Sequence, residues 1–146
     1  MSDSQKFPVA AHALAYLAHK DAMTADRAVA SGELAASMPT NPVVVRRVTA
    51  MLAKAGLIAT RAGAGGGAWL LKNPQEIKLD TVLRAVNGCA HLGAPPPGVK
   101  GCPVGERIPD AVRAAITAAD AAAAERLSHI SVADLLVDPQ AAGKAA

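Results

Sequence analysis

Apolar residues recur every three to four positions over most of this chain, and one break in that spacing organises the rest. Phe7, Ala11, Leu14 and Ala18, with Ala10 and Leu17 beside them, predict a helix over 7–20. His12 and His19 fall off that stripe and read as surface residues. Ser31 is placed to cap a short helix, GELAASM, which Pro39 ends. The run NPVVVRRVTAMLAKAG follows. Asn41 is a strong N-cap, Pro42 suits the first helical position and Gly56 suits the stop. Val45, Val48 and Leu52 share the inward face. Two helices joined by about four residues, the second one basic, make a helix-turn-helix pattern.

The break comes next. GLIATRA and AWLL read as two short strands, with Gly63, Gly65, Gly66 and Gly67 between them and Asn73-Pro74 closing the hairpin. Helical spacing then returns over 79–88 through Leu79, Val82, Leu83 and Val86. Residues 88–105 hold five glycines and four prolines and predict a loop. A long helix follows, starting at Pro103 or Pro109, because an interior proline would kink it. Its narrow stripe of Val112, Ile116, Ala119, Ala123, Leu127 and Ile130 suits packing on another helix, including a symmetry mate. SVADLLVD adds a last short helix, and the segment beyond it is expected to fray.

Composition sharpens this reading. Apolar residues are 51% of the 146, yet aromatics are only 2%, so small alanine contacts replace large side chains and helix dominates. Residues 1–87 carry ten Lys/Arg against six Asp/Glu, whereas residues 88–146 carry five against six. No acid lies between Glu33 and Glu76, where Arg46, Arg47, Lys54, Arg61 and Lys72 all fall. An acid-free basic stretch is the mark of a polyanion-binding face. No export signal or membrane span is legible, and two cysteines without an export signal point to reduced thiols, so a cytoplasmic location is expected.

The glycines admit two physical explanations. Gly63-x-Gly65-x-x-Ala68 fits a dinucleotide fingerprint, but that motif needs a helix N-terminus after it, and AWLLKN followed by Pro74 leaves no room for one. A hairpin tip needs nothing further. Glycine permits positive φ and close backbone approach there. A basic hairpin directly after a basic helix is a wing, able to lie along a DNA backbone or to insert Arg61 into a narrow minor groove. Trp69 reads as an apolar anchor beneath it.

Taken together, HALAYLA, GELAAS, NPVVVRRVTAMLAKAGLI, RAGAGGGAWLLKNPQEI, LDTVLRAVNG, CPVG and SVADLL resemble the Rrf-two family of winged-helix transcription regulators. The resemblance spans residues 7–137 and is most specific where the NPVVVRR helix meets the GGG-W wing. It implies a mainly α fold with a small β-hairpin: a winged helix-turn-helix head plus a long C-terminal dimerisation helix. On this basis residues 1–88 form the DNA-binding domain and 89–105 a sensor loop. Residues 106–138 form the dimerisation helix with the terminal short helix, and 139–146 a disordered tail. The family implies a homodimer on a palindromic operator in double-stranded DNA. By position, Thr40, Asn41, Val43, Arg46 and Arg47 occupy the exposed turns of the recognition helix, and Arg61, Gly65, Gly66 and Gly67 the wing. Which of Arg46 and Arg47 reads a base, and whether either does more than hold phosphates, stays open.

Cluster-bearing members of the family use three cysteines before the long helix, and this chain has two there, Cys89 and Cys102. No cofactor is therefore expected. An iron–sulfur cluster would need His91 or an oxygen as its further ligand. The two cysteines serve instead as a candidate redox or electrophile sensor, with Cys102 before a helix start and Lys100 nearby. Inert thiols and a small effector bound elsewhere are the alternatives. The histidines show no metal-ligand spacing and no nucleophile motif is present, so an enzyme is not expected. The other function class is an interaction module that keeps the fold without DNA recognition. The leading expectation is a sequence-specific DNA-binding regulator, a repressor.

Overall fold

The computed structural model describes residues 5–87, 92–137, 140 and 143. Helix α1 (Lys6–His19) buries Ala10, Ala13, Leu14 and Leu17, the face its spacing anticipates. Helix α2 spans Ser31–Ala36 and α3 spans Pro42–Lys54. Strands β1 (Ile58–Arg61) and β2 (Gly67–Leu70) pair antiparallel, with Ile58 opposite Leu70 and Arg61 opposite Gly67. Helices α4 (Leu79–Asn87), α5 (Pro103–Ser128) and α6 (Val132–Val137) complete the chain. The molecule is mainly helical with one small hairpin, the winged helix-turn-helix arrangement followed by a long C-terminal helix.

One core joins α1, α3, α4 and the hairpin. Leu14, Leu17, Val45, Val48, Leu52 and Val82 are fully buried in it. Side chains of this size contribute about 1.5–3 kcal/mol each on burial, so these six outweigh any single surface contact. Trp69 is half-buried and packs on the same core from the hairpin, as an anchor should. The hairpin is also tied to the body by backbone. Val29 N–H donates to the Ala68 carbonyl and Ala68 N–H to that of Val29, both at 2.9 Å. This bridge adds a third strand position to the two-stranded sheet.

The bridge explains one correction. Ser31 does not cap α2; it is the first helical residue, and Ala30 precedes it in extended geometry with no side-chain cap bond. Pinning of Val29 to β2 sets the entry angle of α2, so no polar cap is needed to start it. Helix α5 begins at Pro103, one of the two starts that the sequence leaves open, and carries Pro109 inside it. A proline there frees the carbonyl of Gly105, four residues earlier. Val99 N–H donates to that carbonyl at 3.2 Å, so the chain before the helix satisfies what the proline leaves open. Gly98 lies so close to the same carbonyl that a Cβ would stand 2.8 Å from it.

The expected grouping of 106–138 also divides. Ile130 and Val132 are buried in the head core, not beside a partner helix. Leu79 N–H donates to the Ile130 carbonyl and Val132 N–H to that of Ile77, each at 2.9 Å. Ser131 and Asp134 then cap α6 reciprocally: Ser131 N–H reaches Asp134 Oδ2 at 2.7 Å and Asp134 N–H reaches Ser131 Oγ at 3.2 Å. The apolar stripe of α5 thus ends in the head and begins in solvent. No residue of α5 is buried, and Val104, Ile108 and Val112 are 65%, 51% and 40% exposed. Its 26 residues extend about 39 Å.

Two glycine substitutions separate the roles of space and conformation. Gly67 sits at φ +153°, and a Cβ would meet the Val29 carbonyl oxygen at 2.4 Å. Gly67→Ala should lower unfolding free energy by about 1–3 kcal/mol in urea titrations followed by circular dichroism. Gly32, inside α2 with nothing near its Cβ position, should gain up to about 1 kcal/mol as Gly32→Ala.

Candidate nucleic-acid interface

The residues that present charge do so because the opposite face of their helix is fixed. In α3 the N-cap works as its sequence requires: Asn41 Oδ1 accepts Val43 N–H at 2.8 Å, and Pro42 occupies the first helical position. Gly56, at φ +73°, follows the last turn. Burial of Val45, Val48 and Leu52 turns the other positions outward. Asn41, Val43, Arg46 and Arg47 are exposed, Val43 by 52%, and Thr40 is half-buried in the turn before them. The side chains of Arg46 and Arg47 make no ion pair or hydrogen bond among the described residues, and the Arg46 carbonyl accepts the Thr49 hydroxyl at 3.0 Å. With no acid from Glu33 to Glu76 in sequence, no intramolecular carboxylate of that stretch competes for them.

The hairpin stands beside this face. Gly63 and Gly65 adopt φ of +89° and +70°, which other residues rarely reach. Gly66 serves closeness instead: a Cβ there would stand 2.2 Å from the Arg61 carbonyl oxygen. The tip from Arg61 to Gly65 is exposed. Arg61 Nη2 donates to the Gly65 carbonyl at 3.2 Å, so the guanidinium is held over the tip of its own loop. Between α3 and the hairpin lies a cleft of about 400 Å³. Arg46 and Thr49 line it from the helix, Arg61 and Gly66 from the hairpin, and Leu34 and Ala68 from its floor. Helix and wing therefore share one concavity with an arginine on each side. Arg47 does not line it. The two arginines that sequence alone leaves equivalent are thus distinguished by place: Arg46 faces the wing, and Arg47 lies off that side.

Two polar links between α1 and α2 escape the sequence, because their partners lie far apart along the chain. Tyr16 OH donates to Glu33 Oε1 and Lys20 Nζ pairs with the same oxygen, both at 3.0 Å. His12, exposed as its position off the stripe predicts, also ties α1 to α2, its Nε2 lying 3.0 Å from Ser37 Oγ. Hydrogen bonding to Lys20 first, and then to Tyr16, holds the Glu33 carboxyl below the ordinary range.

The cysteine pair is only half described. Cys102 is exposed and is the N-cap of α5, its Sγ accepting Gly105 N–H at 3.4 Å. Glu106 Oε1 accepts Gly101 N–H at 2.7 Å across the same turn. Cys89 and His91 lie outside the described residues, as does most of the expected tail. Among the described residues no three His, Cys, Asp or Glu side chains gather as a metal site. No helix of the described residues is long and apolar enough to cross a membrane.

Comparison with known proteins agrees with this geometry. The family model Rrf2, described as an iron-dependent transcriptional regulator, matches residues 3–138. YwnA of Bacillus subtilis (strain 168), assigned by name to the HTH-type transcriptional regulators, is 37% identical over 113 residues, 76% of this chain and 84% of its own. A crystal structure named for DNA binding is 33% identical with a TM-score of 0.66, covering 90% of this chain and 98% of its own. One from Lactobacillus plantarum, named for transcriptional regulation, is 26% identical with a TM-score of 0.75, covering 94% and 91%.

The Glu33 network carries a pH signature. Because the folded carboxyl titrates below the unfolded one, its contribution is present above the ordinary carboxylate range and is lost as pH falls through the folded value. In urea titrations between pH 7 and pH 3, Glu33→Gln should show a shallower acid loss of stability than the unsubstituted chain. The difference should shrink in salt, since the pair is exposed.

Proposed function

This chain belongs to the Rrf2 family of transcriptional regulators, and on that premise we propose that it is a repressor binding a palindromic operator as a homodimer. DNA is the partner of such a regulator; the finer reading rests on this chain's own residues. The observation that carries it is the cleft in which Arg46 of α3 and Arg61 of the wing face a common space without an acidic neighbour. In this reading the first turns of α3 enter the major groove, where Asn41, Val43 and Arg47 approach base edges. Arg46 and Thr40 hold the strand backbone. The wing, with Gly65, Gly66 and Gly67 keeping its tip thin, carries Arg61 to the adjoining minor groove.

Two heads are needed because one presents too few contacts for a long operator. The exposed stripe of Val104, Ile108 and Val112 on α5 supports pairing through that helix. A two-fold pair of heads reads a two-fold sequence. Occupation of a promoter by both heads excludes other proteins without any further surface, which favours repression.

The sensor reading centres on Cys102. Its sulfur caps the helix that would join the two chains, so loss of the thiol to oxidation withdraws that cap. A peroxide can take two electrons and two protons from a pair of thiols, leaving a disulfide and water, and Cys89 is the second thiol of the chain. Strain on the start of α5 then changes the spacing of the heads.

Selection of bound fragments from genomic DNA should recover a palindrome at moderate salt. The triple variant Arg46→Ala, Arg47→Ala, Arg61→Ala should lose at least about 100-fold in affinity for it, given about 1–3 kcal/mol per good contact. The same variant should sediment as a dimer. Recovery of no preferred sequence, or full affinity in the triple variant, would contradict the proposal.

A further inference from the structure

His12 projects from α1 with its ring exposed, and its one contact fixes where its proton sits. Nε2 lies 3.0 Å from Ser37 Oγ. The Ser37 hydroxyl has a single hydrogen, and it donates that hydrogen to the Leu34 carbonyl at 2.7 Å. Ser37 Oγ must therefore accept, and His12 Nε2 must donate. The ring's remaining nitrogen, Nδ1, is then an acceptor when the ring is neutral and a donor when it is charged. A proton at Nδ1 leaves the contact between Nε2 and Ser37 Oγ in place.

Position gives this proton a use. His12 shares an open recess of about 300 Å³ with Gln5 and Pro8 of α1 and with Met38, Pro39 and Thr40 of the turn before α3. Thr40 directly precedes Asn41, the N-cap of the recognition helix. Among the described residues no other charged side chain lines the recess. Along the same α1–α2 seam the next charges are Glu33 and Lys20, which pair with each other and with Tyr16. Among the described residues no carboxylate lines the recess, which leaves it open to an anionic partner from another molecule.

We infer that His12 is a further DNA contact, a proton-dependent ligand for the backbone phosphate that runs past Thr40. The inference rests on the DNA-binding reading above. In helix-turn-helix docking the recognition helix enters the groove while the helix before it, here α2, and the turn between them meet the strand backbone, and His12 of α1 shares its recess with that turn. A neutral His12 turns the Nδ1 lone pair toward that phosphate, which is unfavourable. The protonated ring offers a charge-assisted N–H bond. Binding then takes up a proton at each head, and by linkage affinity rises as pH falls, by at most about tenfold per pH unit per head. Imidazoles as a class make this change between pH 5 and 8.

The test is operator affinity from pH 5.5 to pH 8.5 at fixed ionic strength, with the full chain and two variants. His12→Gln keeps a donor for Ser37 but cannot titrate; His12→Lys carries a fixed charge. The full chain should tighten severalfold per pH unit on the acid side. His12→Gln should bind with a flatter pH profile and, at pH 6, with a log–log salt slope shallower by about 0.9 per head, one phosphate's worth. His12→Lys should bind tightly across the range, and circular dichroism melts should show both variants folded. A wild-type pH slope retained in His12→Gln, or no slope in the full chain, would overturn the inference and leave His12 as a tie between α1 and α2. Absence of any selected sequence at every pH would instead strike the DNA-binding reading itself, and this inference with it.

Discussion

The reciprocal backbone bond between Val29 and Ala68 is the constraint on which the rest depends. A two-stranded hairpin alone is marginal in water. Here β2 is gripped from the other side by the segment that enters α2, and Leu70 N–H reaches the Ala22 carbonyl at 2.8 Å just beyond. The wing is thereby fixed to the same frame that carries α2 and α3. Its glycines follow from close backbone approach: Gly67 lies where a Cβ would overlap Val29, and Gly66 where one would overlap the Arg61 carbonyl at the end of β1. The spatial relation of Arg46 to Arg61, which makes one cleft out of two elements, is a consequence of main-chain bonding rather than of any attraction between the arginines.

Around that frame the chain separates packing from recognition. The aliphatic face of α3 is buried with Val45, Val48 and Leu52, and this leaves its cationic face no intramolecular occupation. The acid that does lie nearby in the fold, Glu33, is engaged by Lys20 and Tyr16 on the α1 side. Helix α5 shows the opposite economy. It contacts α4, packs Leu127 against the core and leaves an apolar row in solvent, the face that the proposed pairing of two chains would cover.

Much of this was legible in the sequence because local chemistry decides it. The cap at Asn41, the proline at 42, the stop at Gly56 and the inward valines are all determined within a few residues of one another, and each is as the spacing predicts. The hairpin was legible for the same reason. What was not legible depends on contacts between distant segments. Ser31 looks like a cap until Val29 is seen bonded to β2. Pro109 looks like a boundary until Val99 is seen to satisfy the carbonyl it frees. Ile130 belongs to an α5 stripe by spacing, yet its backbone bond to Leu79 carries it into the head. His12 and Ser37 are 25 residues apart, and no pattern along the chain connects them. Within the interface the arginines were legible as a group, but only the cleft separates Arg46 from Arg47.

The central claim is that α3 and the wing act on DNA as one rigid surface. Hydroxyl-radical footprinting on a selected operator addresses it most directly, comparing the unsubstituted chain with Arg61→Ala. The account predicts protection on both sides of each half-site, with Arg61→Ala exposing the strand beneath the wing while protection beneath α3 remains. Protection confined to α3 in the unsubstituted chain, or a footprint that Arg61→Ala leaves unchanged, would contradict it.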